Sequence, residues 1–103
     1  MTEANLTNKI RLKCKERMGE NGFIWKARGD PRQTRGIPDL VGVYHGIFFF
    51  LEVKLPGKER TLTKNQSEVI RRMQRAGGIG GVVTGVPGAI RTLVYIEDLA
   101  NGD

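Results

Sequence analysis

Apolar positions recur along this chain with a period that changes from segment to segment. Leu6, Ile10, Cys14 and Met18 appear every fourth residue in an otherwise polar stretch. That spacing forms one stripe and predicts a helix to about Met18, with Thr2 as N-cap and Gly19 and Gly22 ending it. Phe23 to Arg28 alternates like a strand, and Gly29 to Gly36 reads as a charged loop. Leu40 to Tyr44 and Ile47 to Val53 are rich in β-formers, and His45-Gly46 between them predicts a tight hairpin. Pro56-Gly57 stops the hairpin's second strand, and Lys58 to Arg60 form a charged loop. Thr63 and Gln66 have capping-box spacing, so a second helix is predicted from Thr63 to about Ala76. Gly77-Gly78 ends it, and Ile79 to Thr84 reads as a further strand. After a turn at Pro87-Gly88, a strand and then a short helix are expected up to Ala100. The order α-β-β-β-α-β predicts an α/β sandwich, a central mixed β-sheet flanked by helices.

Length and charge narrow this picture. A chain of 103 residues is expected to form a single domain over 1–103. Lys and Arg number 17 against 11 Asp and Glu, a formal charge of +6, which favours a polyanionic partner such as nucleic acid. Cys14 is the lone cysteine, so no internal disulfide and no cysteine-built zinc site is expected. Its place in the helical stripe makes it a small core residue. The lone His45 reads as a turn residue rather than a base or ligand. The longest apolar run, Ile47 to Leu51, is too short to cross a bilayer, so no membrane association is expected. The N-terminal residues lack the apolar core of a secretory signal, and a reduced, cytoplasmic location is expected, the host cell's for a viral protein.

The chemistry is concentrated between Gly36 and Lys54. Asp39 precedes one hairpin strand and Glu52 lies near the end of its partner, so the hairpin brings the two carboxylates side by side. Glu52 and Lys54 are two apart on a strand and share a face. Two carboxylates and an ammonium then converge, as phosphodiester cleavage requires. Mg²⁺ prefers a few carboxylates together with water and phosphate oxygens, and it polarises phosphate and activates water. The Val53 carbonyl, between the two side chains, is a candidate further ligand. Lys54 would orient the attacking water or stabilise developing charge. An ordinary surface pair at a strand end is the alternative for Glu52 and Lys54, but the Gly-Ile-Pro-Asp before the hairpin weighs against it.

Four segments taken together resemble the VRR-NUC family of the PD-(D/E)xK nuclease superfamily. They are Gly36-Ile37-Pro38-Asp39-Leu40-Val41-Gly42, Phe49-Phe50-Leu51-Glu52-Val53-Lys54, Leu62-Thr63-Lys64-Asn65-Gln66 and Ala76-Gly77-Gly78. The resemblance extends from Glu3 to about Val83. It implies a restriction-endonuclease-like fold, Asp39 and Glu52 as metal ligands, Lys54 as catalytic lysine, and roles for Gln66 and a glutamate of the first helix. Helical phase separates the two candidates for that glutamate. At about 100° per residue, Glu3 lies roughly 20° from Ile10 and faces inward, whereas Glu16 lies roughly 120° away. Glu3 is therefore chosen, and a favourable charge at a helix N-terminus is its alternative reading. Gln66 turns inward by the same argument, and its capping role is compatible with that.

Lys26, Arg28, Arg32 and Arg35 precede the motif and Lys58, Arg60 and Lys64 follow it, in positions to bind phosphates along a strand. Arg71, Arg72 and Arg75 read as a solvated helix face. Trp25 reads as a buried strand aromatic, with stacking on a base as the alternative. The expected function is a Mg²⁺- or Mn²⁺-dependent endonuclease acting on DNA. Stand-alone members of the family pair like Holliday junction resolvases, so the resemblance implies a homodimer and a branched DNA substrate. Apolar residues near the chain end, Leu93, Val94, Tyr95, Ile96 and Leu99, exceed what a short helix must bury and are candidates for part of the shared surface, with packing on the sheet the more ordinary fate for at least half of them. The rival readings are a restriction- or flap-type nuclease and a basic DNA-binding protein without catalysis.

Overall fold

The computed structural model describes residues 1–27 and 35–102. Helix α1 (Glu3–Met18) is capped by Thr2, whose side chain accepts the Asn5 N–H at 3.1 Å. Strand β1 (Gly22–Lys26) follows after a short 3-10 turn. The hairpin strands are β2 (Leu40–Tyr44) and β3 (Ile47–Val53), joined at His45 and Gly46. Both turn residues have positive φ (51° and 78°), the geometry of a two-residue turn that follows the sheet's twist. Helix α2 (Lys64–Arg75), strand β4 (Ile79–Val83) and helix α3 (Val86–Ala100) complete the chain.

The strands form one sheet in the order β1-β2-β3-β4. β1, β2 and β3 pair antiparallel, and β4 joins β3 in parallel. A parallel neighbour needs a crossover, which α2 supplies. Helices α1 and α3 cover one face of the sheet. Their stripes, Leu6, Ile10, Cys14 and Met18 from α1 and Ala89, Leu93 and Ile96 from α3, interlock with Leu40, Phe49, Leu51 and Val53 in the main core. On the opposite face α2 sets Ile70 and Met73 against Val41, Phe50 and Val82. Cys14 is buried in the main core, and that burial pushes its thiol up to about 11, which keeps it an inert thiol.

Several expectations from the pattern require correction. The tail is one continuous helix rather than a strand and a short helix. Pro87 sits in its first turn, where the missing N–H removes no helical bond. Of the five apolar residues near the chain end, Leu93 and Ile96 are fully buried, leaving Val94, Tyr95 and Leu99 exposed. β1 ends at Lys26, and Arg28, together with most of the loop that holds Arg32, lies outside the described residues. Trp25 is not buried: it is 40% exposed, because α2 covers the β3 and β4 side of its face and stops short of β1. No described helix is long and apolar enough to cross a membrane.

Candidate active site

The strand register assembles the site. β2 and β3 pair Leu40 with Leu51 and Val41 with Phe50, so the next rung sets Asp39 opposite Glu52. Two interactions hold Asp39 there. Its backbone carbonyl accepts the Ala27 N–H at 3.0 Å, which extends the β1 ladder, and its Oδ2 accepts the Val53 N–H at 2.8 Å. An antiparallel strand that stops one residue early leaves such an N–H for a side chain to take.

Glu52 follows Phe50 by two residues and therefore points to the α2 face. It is only 2% exposed, so its carboxylate needs partners within the protein. Gln66 of α2 supplies one: its Nε2 donates to Glu52 Oε2 at 3.0 Å. Lys54 is 7% exposed, with Nζ 3.8 Å from the same oxygen. The surface-pair alternative for Glu52 and Lys54 is thus excluded by burial. Burial, and next the negative charge of Asp39, hold the Glu52 carboxyl well above the usual carboxylate range, with Lys54 opposing them. Two carboxylates facing each other with one ammonium leave a site short of positive charge.

A glycine fixes the approach of the Gly36-to-Asp39 segment to α2. Gly36 has φ 86°, and a Cβ there would lie 2.6 Å from the Asn65 carbonyl oxygen. The segment therefore lies directly on the N-terminal turn of α2, next to Gln66. Gln66 meanwhile caps that turn, its Oε1 accepting the Thr63 N–H at 2.9 Å while Thr63 Oγ1 accepts the Gln66 N–H at 3.1 Å. The inward orientation and the capping bond anticipated for Gln66 coexist on opposite ends of one amide.

Glu3, the first residue of α1, lines a hollow of about 340 Å³ together with Thr7, Lys26, Ile37 and Asp39. The structure thus brings Glu3 to the side of the site from which Asp39 is reached. Glu16 is on the far surface, 4.0 Å from Lys13. Lys26 is a lining residue of the hollow that sequence reasoning grouped only loosely with the basic residues. The signal available was its position at the end of the strand pairing with Leu40. The Val53 side chain is buried in the main core, and its N–H serves Asp39.

Among the described residues, no three His, Cys, Asp or Glu side chains form a metal-binding group. The donors that converge are two carboxylates. Oxygen-only donors with hydration left to water suit Mg²⁺ or Mn²⁺ rather than zinc.

No protein-family profile matches the chain, and no curated protein does. Solved structures match it. One, described as "VRR_NUC domain", covers 86% of this chain and 95% of its own, with TM-score 0.64 and 21% sequence identity. The chain has the VRR-NUC fold. Its mixed four-stranded sheet with flanking helices is the architecture expected from the hydrophobic pattern. In this VRR-NUC fold, the residues that the sequence singled out fall at one end of the β2–β3 hairpin, between the N-terminal turns of α1 and α2.

Proposed function

We propose that the protein is a divalent-metal-dependent nuclease that hydrolyses DNA phosphodiester bonds. The observation that carries this reading is the pairing of Asp39 with the buried Glu52, with Lys54 on the same carboxylate oxygen. Burying an acid beside another acid is costly. A cation held between them offsets that cost, and the VRR-NUC fold supports a nuclease of the PD-(D/E)xK type as the setting.

In this reading Asp39 and Glu52 hold the ion, and the Val53 carbonyl is a further candidate ligand. The bound metal supplies Lewis-acid polarisation of the phosphate and a water of lowered pKa. Gln66 orients Glu52 through its Oε2. Lys54, its Nζ beside Glu52 Oε2, would hydrogen-bond the attacking water or stabilise charge that develops on the phosphate oxygens. Glu3 accepts a hydrogen bond from water in the hollow it shares with Asp39. Lys26, beside that hollow, binds a phosphate of the incoming strand.

The favoured substrate is branched DNA, and the favoured assembly is a homodimer. One domain of this size offers one site, and cutting two strands symmetrically needs two, which a two-fold dimer supplies. Val94, Tyr95 and Leu99 on the outer side of α3 support a self-complementary contact. A non-catalytic DNA-binding role fits less well, since carboxylates beside phosphate repel it unless a cation intervenes.

One assay tests the proposal. Labelled linear duplex, flap and four-way junction DNAs are incubated with Mg²⁺, Mn²⁺ or EDTA, alongside light scattering of the protein. Metal-dependent cleavage that EDTA abolishes, fastest on the junction and from a dimer, is expected. Binding without cleavage in either metal overturns the nuclease reading. A monomer that cuts linear duplex as fast as a junction overturns only the branched-DNA and dimer parts.

A further inference from the structure

Resting on the nuclease reading, we propose that the uncovered sheet face beside the site is a stacking platform for unpaired bases of the substrate. The surface consists of Phe23 and Trp25 on β1 with Val43 and Phe48 on the neighbouring strands, and all four are exposed. Register places them together: Phe23 pairs with Val43, which pairs with Phe48, and Trp25 pairs with Val41. Directly opposed residues share a face, so this is the α2 side of the sheet, the side to which Glu52 points.

The platform adjoins the reacting centre. Trp25 stands beside Val41, and Asp39 lies two residues further along the same strand. The diagonal from Trp25 to Asp39 is about 7–8 Å between Cα atoms. A phosphate bound beside Asp39 through a cation would therefore leave a base of the same or the adjacent nucleotide over Trp25. The Phe23 and Trp25 rings follow each other at 5.4 Å, tilted by 36°. Phe23 is 68% exposed, too open for a core residue and well placed for a second base.

Helix α2 packs on Val41 and Phe50, next to the platform. Val69, Arg72, Met73 and Ala76 line a shallow hollow on α2. Gln74, on the other flank of the helix, bonds the Gly80 carbonyl of β4 at 2.8 Å. At about 100° per residue, Val69 and Ala76 lie on the flank opposite Gln74, and the exposed Arg72 lies further round toward solvent. A base has a π-face whatever its identity, so the platform selects for unpaired nucleotides rather than for sequence. In a duplex the same faces are occupied by neighbouring bases. The substrate class that fits is DNA with a single-stranded segment or an opened branch point next to the cut.

Trp25 is the chain's lone tryptophan, which makes it its own probe. The full-length protein is titrated in EDTA with an oligothymidylate, a flap DNA and a blunt duplex, following tryptophan emission. Saturable quenching by the first two, with the blunt duplex several-fold weaker, is expected. Phe23→Ala and Trp25→Ala should each bind labelled oligothymidylate roughly tenfold more weakly, and Trp25→Phe should stay close to wild type. Equal quenching by blunt duplex, or none by any DNA, overturns the platform. So does a wild-type dimer that Phe23→Ala or Trp25→Ala converts to monomer, since that makes the face a contact between copies. Cleavage assays in Mg²⁺ keep the two readings apart. Cutting without quenching removes the platform and leaves the nuclease, whereas quenching without cutting by the wild-type protein does the reverse.

Discussion

Gln66 Nε2 donates to Glu52 Oε2 at 3.0 Å while the other end of the same amide closes the cap of α2. One side chain thus ties the buried carboxylate of the sheet to the start of a helix. Removing it has two separable consequences. Thr63→Ala loses the cap alone and should cost about 1 kcal/mol with cleavage retained. Gln66→Ala should cost at least as much and also slow cleavage, because Glu52 loses its orienting donor. Thermal denaturation and cleavage rates of the two variants check this. Equal rates in both would show that the Gln66–Glu52 bond has no role in the chemistry.

Asp39 and Glu52 are expected to bind Mg²⁺ or Mn²⁺, measured by calorimetry. Asp39→Ala and Glu52→Ala should each weaken that binding. Asp39→Ala also leaves the Val53 N–H without its acceptor, so its melting temperature should fall, by about 1–3 kcal/mol in stability. Unchanged affinity in both variants would remove these residues from the metal site.

Lys54→Ala should abolish cleavage and still bind DNA, since exposed basic residues elsewhere carry most phosphate contacts. DNA affinity should fall steeply with added salt in wild type and variant alike, through release of counterions. Undiminished cleavage by a folded Lys54→Ala protein contradicts the role given to Lys54.

Glu3 shares a hollow with Asp39, whereas Glu16 pairs with Lys13 on the far surface. Glu3→Gln should slow cleavage and Glu16→Gln should leave it unchanged. The opposite result would place the helix-1 acid elsewhere.

Away from the site, Glu97 of α3 takes two bonds of 2.8 Å from Arg17 of α1 and one of 2.7 Å from the Tyr44 hydroxyl of β2. These donors lower the Glu97 carboxyl from 4.5 to about 2, Arg17 contributing most. A depressed folded value stabilises the protein above the unfolded value and loses that contribution as pH falls between the two. Acid unfolding of wild type should therefore show a destabilisation below about pH 4.5 that Glu97→Gln lacks. Parallel pH profiles in the two proteins would count against the contribution.

The chain by itself determined the helices and strands wherever one residue face was uniformly apolar. The stripe Leu6–Ile10–Cys14–Met18, the hairpin around His45-Gly46 and the capping box at Thr63 are local patterns, set by backbone periodicity and turn geometry. The adjacency of Asp39, Glu52 and Lys54 was legible for the same reason, because a hairpin converts sequence spacing into proximity. The tail was misread because Pro87-Gly88 signals a turn locally, yet proline is tolerated in a helix's first turn, and Leu93 and Ile96 gain a core only once α1 lies beside them. Trp25 was misread because strand alternation says which residues share a face and not whether anything covers that face. That was decided by where α2 comes to rest: its packing on Val41, Phe50 and Val82 covers one half of the sheet and leaves the half carrying Trp25 in solvent.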